Sequence, residues 1–146
     1  MRGFLIDVNV LIALLHEAHE SHNKVQRWFR ELDGKPWATC SLTQAGFVRI
    51  VSNPRFSEHP VDLGEALEML SVVTHLPSHR FWPMDIDLAE AVAPFHDKLF
   101  GHRQVTDAYL LGLAIRNKGS LVTLDRAIEA MAGAEFAQNL TVLQSL

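Results

Sequence analysis

Short apolar runs alternate with amphipathic stretches along this chain of 146 residues, and the alternation predicts its elements. Phe4-Leu5-Ile6 reads as a first strand ended by Asp7, and residues 8–15 as a helix leaving it. Residues 20–32 place Val25, Trp28, Phe29 and Leu32 among charged positions, the pattern of an amphipathic helix. Asp33-Gly34-Lys35-Pro36 stops it. Residues 37–40 read as a second strand, and the spacing of Ser41 and Gln44 matches a capping box for a helix running to Val51. After a polar, proline-bounded loop, Asp62 is placed to cap a helix carrying Leu63, Leu67, Leu70 and Val73, with Pro77 beyond its end. Phe81-Trp82 reads as a third strand, residues 85–95 as a helix bent or broken at Pro94, and residues 96–103 as an irregular connection. A strongly apolar helix opens at Asp107 and runs to Arg116. Residues 121–124 form a fourth strand, 126–131 a short helix and 141–143 a last strand.

Strands alternating with helices predict βαβ units around a parallel sheet, in a single α/β domain spanning residues 1–146. In such a sheet the carboxyl ends of the strands share one edge, and ligands bind in the crevice there. Asp7 and Asp125 are expected at that edge as strand ends, and Asp107 as the first residue of a helix beginning beside it. Three carboxylates in one crevice repel one another, and a divalent cation removes the difficulty. Each aspartate also has a plainer reading. Asp7 suits an N-cap, Thr106 and Asp107 suit a helix start, and Asp125-Arg126 suits an exposed polar turn. The metal reading rests on all three recurring in one kind of position.

Composition narrows the classes. The net charge of −4 gives no general attraction to nucleic acid, so a polyanion has to be met by a local basic surface or by cations. The lone Cys40 cannot form an intramolecular disulfide, which favours a reducing cytoplasm, and its neighbours read as a buried strand, which argues against a catalytic thiol. The segment from Met1 to Asp7 is too interrupted for a signal peptide, and the apolar stretch to Leu15 is too short for a membrane span. A cytoplasmic protein without membrane attachment is expected. His16, His19 and His22 lack the four-residue spacing of a zincin helix and read as a solvated helix start. Among the arginines Arg49, Arg55, Arg103 and Arg126, whose forks suit phosphate, Arg49 is the first choice for a substrate contact, because it lies on the helix that opens with Thr43 and Gln44.

Asp7-Val8-Asn9, the run Ser41-Leu42-Thr43-Gln44-Ala45-Gly46-Phe47-Val48-Arg49, Val105-Thr106-Asp107-Ala108-Tyr109-Leu110 and Leu121-Val122-Thr123-Leu124-Asp125 together resemble PIN domains, and more narrowly the VapC toxins of bacterial toxin–antitoxin pairs. The resemblance covers nearly the whole chain, in order. It implies a three-layer α/β/α fold with a mainly parallel sheet and a Mg²⁺- or Mn²⁺-dependent endoribonuclease. It also implies a homodimer and a small antitoxin as partner. By position, Asp7, Asp107 and Asp125 match the family's acidic metal-site residues, with Asn9 and Thr123 as supporting polar positions. Gln44 departs from the pattern, since the family usually has a glutamate there. Its carbonyl can still face a cation or its water, but without negative charge, so the resemblance here implies one well-held metal and a weaker second one. Two rivals stand beside this reading. One is a HAD-type phosphatase with Asp7 as nucleophile, for which Asn9 stands where a second aspartate belongs. The other is a PIN-fold binding module weakened or inactivated by Gln44.

Overall fold

The computed structural model describes residues 3–99 and 101–143. Met1 and Arg2, part of the signal-peptide argument, lie outside the described residues. The strands are β1 (Phe4–Ile6), β2 (Trp37–Thr39), β3 (His79–Phe81), β4 (Ser120–Thr123) and β5 (Leu140–Val142). They form a wholly parallel sheet in the order β3-β2-β1-β4-β5. The chain therefore builds β1, β2 and β3 outward on one side, then crosses back to lay β4 and β5 on the other. The point where the direction reverses lies between β1 and β4, and such switch points open a crevice at the carboxyl edge.

The period of two along each strand divides the core between the two faces of the sheet. Leu5, Ala38 and Leu121 pack on one face, with α5 (Leu88–Val92), α6 (Val105–Arg116) and α7 (Ile128–Ala132). Ile6, Trp37 and Val122 pack on the other, with α1 (Val8–Leu15), α2 (His22–Glu31), α3 (Ser41–Val51) and α4 (Leu63–Thr74). This is a three-layer α/β/α arrangement. Close approach demands small residues at two places. A Cβ on Gly112 would stand 2.2 Å from the Ala91 carbonyl oxygen, where α6 meets α5, and one on Gly46 would stand 2.7 Å from Val8 Cγ2, where α3 meets α1.

Several local expectations need correction. Ser41 is the first residue of α3 rather than its cap; Cys40 is the cap, and Thr43, not Gln44, closes the box by accepting from the Cys40 N–H. The helix expected to open at Asp107 begins two residues earlier at Val105, so Asp107 lies in its first turn and Thr106 caps nothing. The strand expected at Phe81-Trp82 is β3, starting at His79, because parallel pairing with β2 aligns His79, Arg80 and Phe81 with Trp37, Ala38 and Thr39. Residues 85–95 resolve into α5, capped by Asp87, and a 3₁₀ helix over Ala93–Lys98 with Pro94 in its first turn. The connection beyond it is not wholly irregular, since His102–Gln104 forms another 3₁₀ turn leading into α6. Asp62 caps α4 as expected, accepting from the Glu65 N–H at 2.8 Å. Yet Leu63 and Leu67 are exposed, and only Ala66 and Val73 of that helix are buried. Helical periodicity identified the helix without identifying which of its apolar positions the core would cover.

Candidate active site

Asp7 follows β1 directly. Its N–H donates to the Val122 carbonyl at 2.9 Å, which extends the β1–β4 ladder by one residue and brings the carboxylate to the switch point. The side chain is 6% exposed and accepts two hydrogen bonds, from the Val8 N–H to Oδ1 at 2.8 Å and from the Thr123 hydroxyl to Oδ2 at 2.8 Å. The first of these makes Asp7 the N-cap of α1, so the plainer reading of this residue also holds. Burial nevertheless dominates and holds the carboxyl above its ordinary range, against the two hydrogen bonds, with the Asp125 charge raising it further.

Thr123 ends β4 and gathers the site. Its hydroxyl donates to Asp7 and accepts from the Asp125 N–H at 3.1 Å, while Asn9 Nδ2 approaches it at 3.4 Å. The Asn9 carbonyl accepts from the Leu124 N–H at 3.2 Å. Asn9 and Thr123 thus tie the start of α1 to the end of β4 across more than a hundred residues of sequence. Asp125 follows on an exposed turn, where its carboxylate accepts from the Ala127 N–H at 2.9 Å. Asp107 enters from α6 on the third side. Its carboxyl is pushed up to about 6, first by burial and then by the charges of Asp7 and Asp125. The three aspartates are therefore close enough to repel one another.

Among the described residues no three His, Cys, Asp or Glu side chains form a ready-made cage for a metal ion. The donor set instead suits a hard, hydrated cation. Mg²⁺ keeps several waters and is commonly held by one or two carboxylates with substrate phosphate completing the shell. A desolvated carboxylate such as Asp7, with two orienting donors and the Asp125 charge raising its proton affinity, gains most from such a charge.

The other expected residues are placed as follows. Gln44 lies in the first turn of α3, and its Nε2 donates to the Thr39 hydroxyl at 2.9 Å. Thr39 in turn lies 2.8 Å from His79 Nε2. Neither Thr39 nor His79 was singled out by sequence. Thr39 had a signal, as the last residue of the strand beside β1; His79 had none, because only the β2–β3 register brings it there. Arg49 is exposed in the last turn of α3, five residues or roughly 7.5 Å along the helix from Gln44. Beside the aspartates, Asn9, His19, Ser21, Lys24 and Arg126 line a cavity of about 360 Å³, together with Glu20, Leu124 and Leu143. The histidines of residues 16–22 are committed locally: His22 Nδ1 lies 2.7 Å from the Ala13 carbonyl, His19 Nδ1 accepts from the Ser21 N–H, and His16 packs on Phe56. Cys40 is fully buried and free.

A parallel sheet whose carboxyl edge gathers aspartates from β1, α6 and the turn after β4 defines a class that the sequence comparisons identify: the profile of the PIN domain matches residues 4–134, and the chain belongs to that family. Within it, the chain is 41% identical over 136 residues to Ribonuclease VapC39 of Mycobacterium tuberculosis, covering 93% of this chain and 98% of that protein. It is 38% identical over 128 residues to Ribonuclease VapC44 of the same organism, covering 88% and 89%. Among solved structures, VapBC2 from Rickettsia felis bound to a DNA fragment from its promoter shares the fold with a TM-score of 0.64 at 13% identity, covering 98% of both chains. PAE2754 from Pyrobaculum aerophilum does so with a TM-score of 0.62 at 21% identity, covering 96% of this chain and 83% of that one.

Proposed function

We propose that this protein is the metal-dependent endoribonuclease toxin of a type II toxin–antitoxin pair, hydrolysing RNA phosphodiesters with Mg²⁺, or Mn²⁺, at Asp7, Asp107 and Asp125. The observation that carries the proposal is the Asp7 carboxylate, buried and held by Thr123 and Val8 beside two further acids at the switch point. The ribonuclease names of its VapC relatives support the reaction class. When bound, the cation would lower the pKa of a water and neutralise charge on the scissile phosphate. Asp7 and Asp107 are the residues that would hold it, with Asp125 as a further ligand or acting through water. Asn9 and Thr123 keep Asp7 and the Asp125 turn in register. Gln44 offers a neutral oxygen where a glutamate is usual, which favours one strongly held metal over two. Arg49, on the same helix, is assigned to an RNA phosphate. Attack by water would leave a 5′-phosphate and a 3′-hydroxyl.

A small cognate antitoxin, a homodimer and a cytoplasmic location belong to the same proposal. Among the described residues no helix is long and apolar enough to cross a membrane.

The test is cleavage of a structured RNA such as tRNA by purified protein. Cutting in Mg²⁺ that EDTA stops, and that Asp7→Asn and Asp107→Asn both lose, supports the assignment; cutting that survives EDTA or both substitutions sinks it. The rival binding module rests on Gln44, a neutral amide where a glutamate is usual. It predicts RNA or antitoxin binding without cleavage, and activity gained in Gln44→Glu.

A further inference from the structure

Gln44 can help hold a cation only if its carbonyl, not its NH₂ group, faces the crevice. An amide can turn either way, so something has to choose. The hydrogen bonds around Thr39 make that choice. His79 Nε2 meets the Thr39 hydroxyl at 2.8 Å, and burial holds the ring's pKa below its ordinary value, which favours the neutral imidazole. A neutral imidazole has one N–H and one bare nitrogen. In the tautomer with the proton on Nδ1, Nε2 is bare and accepts from the Thr39 O–H. The hydroxyl has a single proton, so the Thr39 oxygen is left as an acceptor toward Gln44. Gln44 meets it with Nε2, at 2.9 Å. The chain thus runs in one direction, from the Gln44 amide through Thr39 to His79, and it leaves Oε1 as the atom turned away from Thr39. Thr39 is fully buried, so water does not compete for its hydroxyl.

We propose that His79, acting through Thr39, is a positioning residue that fixes the Gln44 amide with its carbonyl oxygen toward the metal crevice. This rests on the metal-site reading above. The arrangement is specific to glutamine. A glutamate presents the same oxygen whichever way it turns and needs no such choice. Without His79, the Thr39 O–H loses its acceptor and turns onto the Gln44 carbonyl, the amide flips, and NH₂ faces the cation.

The experiment compares the parent, His79→Ala, Gln44→Glu and the double variant. Mn²⁺ affinity is read by electron paramagnetic resonance without RNA, and the Gln44 side-chain amide signals by NMR without metal, assigned by their loss in Gln44→Glu. The expected result is a shift of those signals in His79→Ala, with Mn²⁺ affinity reduced roughly tenfold when residue 44 is glutamine and by less than about twofold when it is glutamate. Equal losses in both backgrounds mean ordinary structural damage and overturn the positioning role, as does an unmoved amide signal. A parent that binds no Mn²⁺ overturns the metal reading, and the role with it. If His79→Ala does not fold, Thr39→Val breaks the same chain with nearly the same shape, and Thr39→Ser restores the hydroxyl and the affinity.

Discussion

Asp7 and Asp107 carry the same group and face the same crevice, but one is built into the fold and the other leans over it. Asp7 is tied to the sheet by its own N–H, caps α1 and accepts the Thr123 hydroxyl. Asp107 stands in the first turn of α6 with a carboxyl pushed up to about 6 by burial and by its two acidic neighbours. The difference teaches that a carboxylate in a crevice can be positioned by hydrogen bonds or by the path of a helix. Only the first kind couples function tightly to stability.

Four measurements sharpen or break that contrast. The largest effect is on activity. Either Asp7→Asn or Asp107→Asn should lower RNA cleavage by about 100-fold or more, since a bound metal supplies several kcal/mol of transition-state stabilisation. A cleavage assay in Mg²⁺ reads this, and near-parent rates in either variant would break the pairing. Next comes Thr123→Val, which strips Asp7 Oδ2 and the Asp125 N–H of their partner. Denaturant melts should show a loss of about 1–3 kcal/mol, the cost of stranding buried polar groups, while Asp107→Asn should show no comparable loss.

The third is pH. Asp107 binds its proton more tightly folded than unfolded, because its carboxyl lies at about 6 instead of 3.8. Its contribution to metal-free stability is therefore present below about pH 4 and lost as pH rises through about 6. Thermal melts without metal should fall across that window, Asp107→Asn should flatten this part of the fall, and Mg²⁺ or Mn²⁺ should offset it. A parent whose melting point climbs through the same window would contradict the assignment. The smallest effect is expected at Asp125, which is exposed and acts from the far side. Asp125→Asn should cost roughly several-fold in cleavage, and a loss equal to that of Asp7→Asn would make the three acids equivalent.

Much of this was legible in the order of residues. Phe4–Ile6 and Val8–Leu15 were read at their observed bounds, because an apolar triplet ending in aspartate carries both the strand and the cap of the helix after it. The three aspartates were also found by position, since the ends of strands in a parallel sheet meet at one edge. Their unequal surroundings were not legible. The Thr123 bond to Asp7 joins residues 116 apart, and the Thr39 contact with His79 joins residues 40 apart. Pairings of that kind follow from strand register, which no local pattern encodes. Leu63 and Leu67 make the same point in the apolar part of the chain. Their spacing announces a helix, but the surface that helix turns to the core depends on what packs against it.

Sequence alone therefore determined the elements, the parallel α/β class and the set of acids, because these depend on periodicity, capping chemistry and strand ends. Tertiary structure decided which acid is buried and braced, that Asp107 sits within a helix rather than opening it, and which way the Gln44 amide turns. Those outcomes depend on distances between segments far apart in the chain, and only the packed sheet sets them.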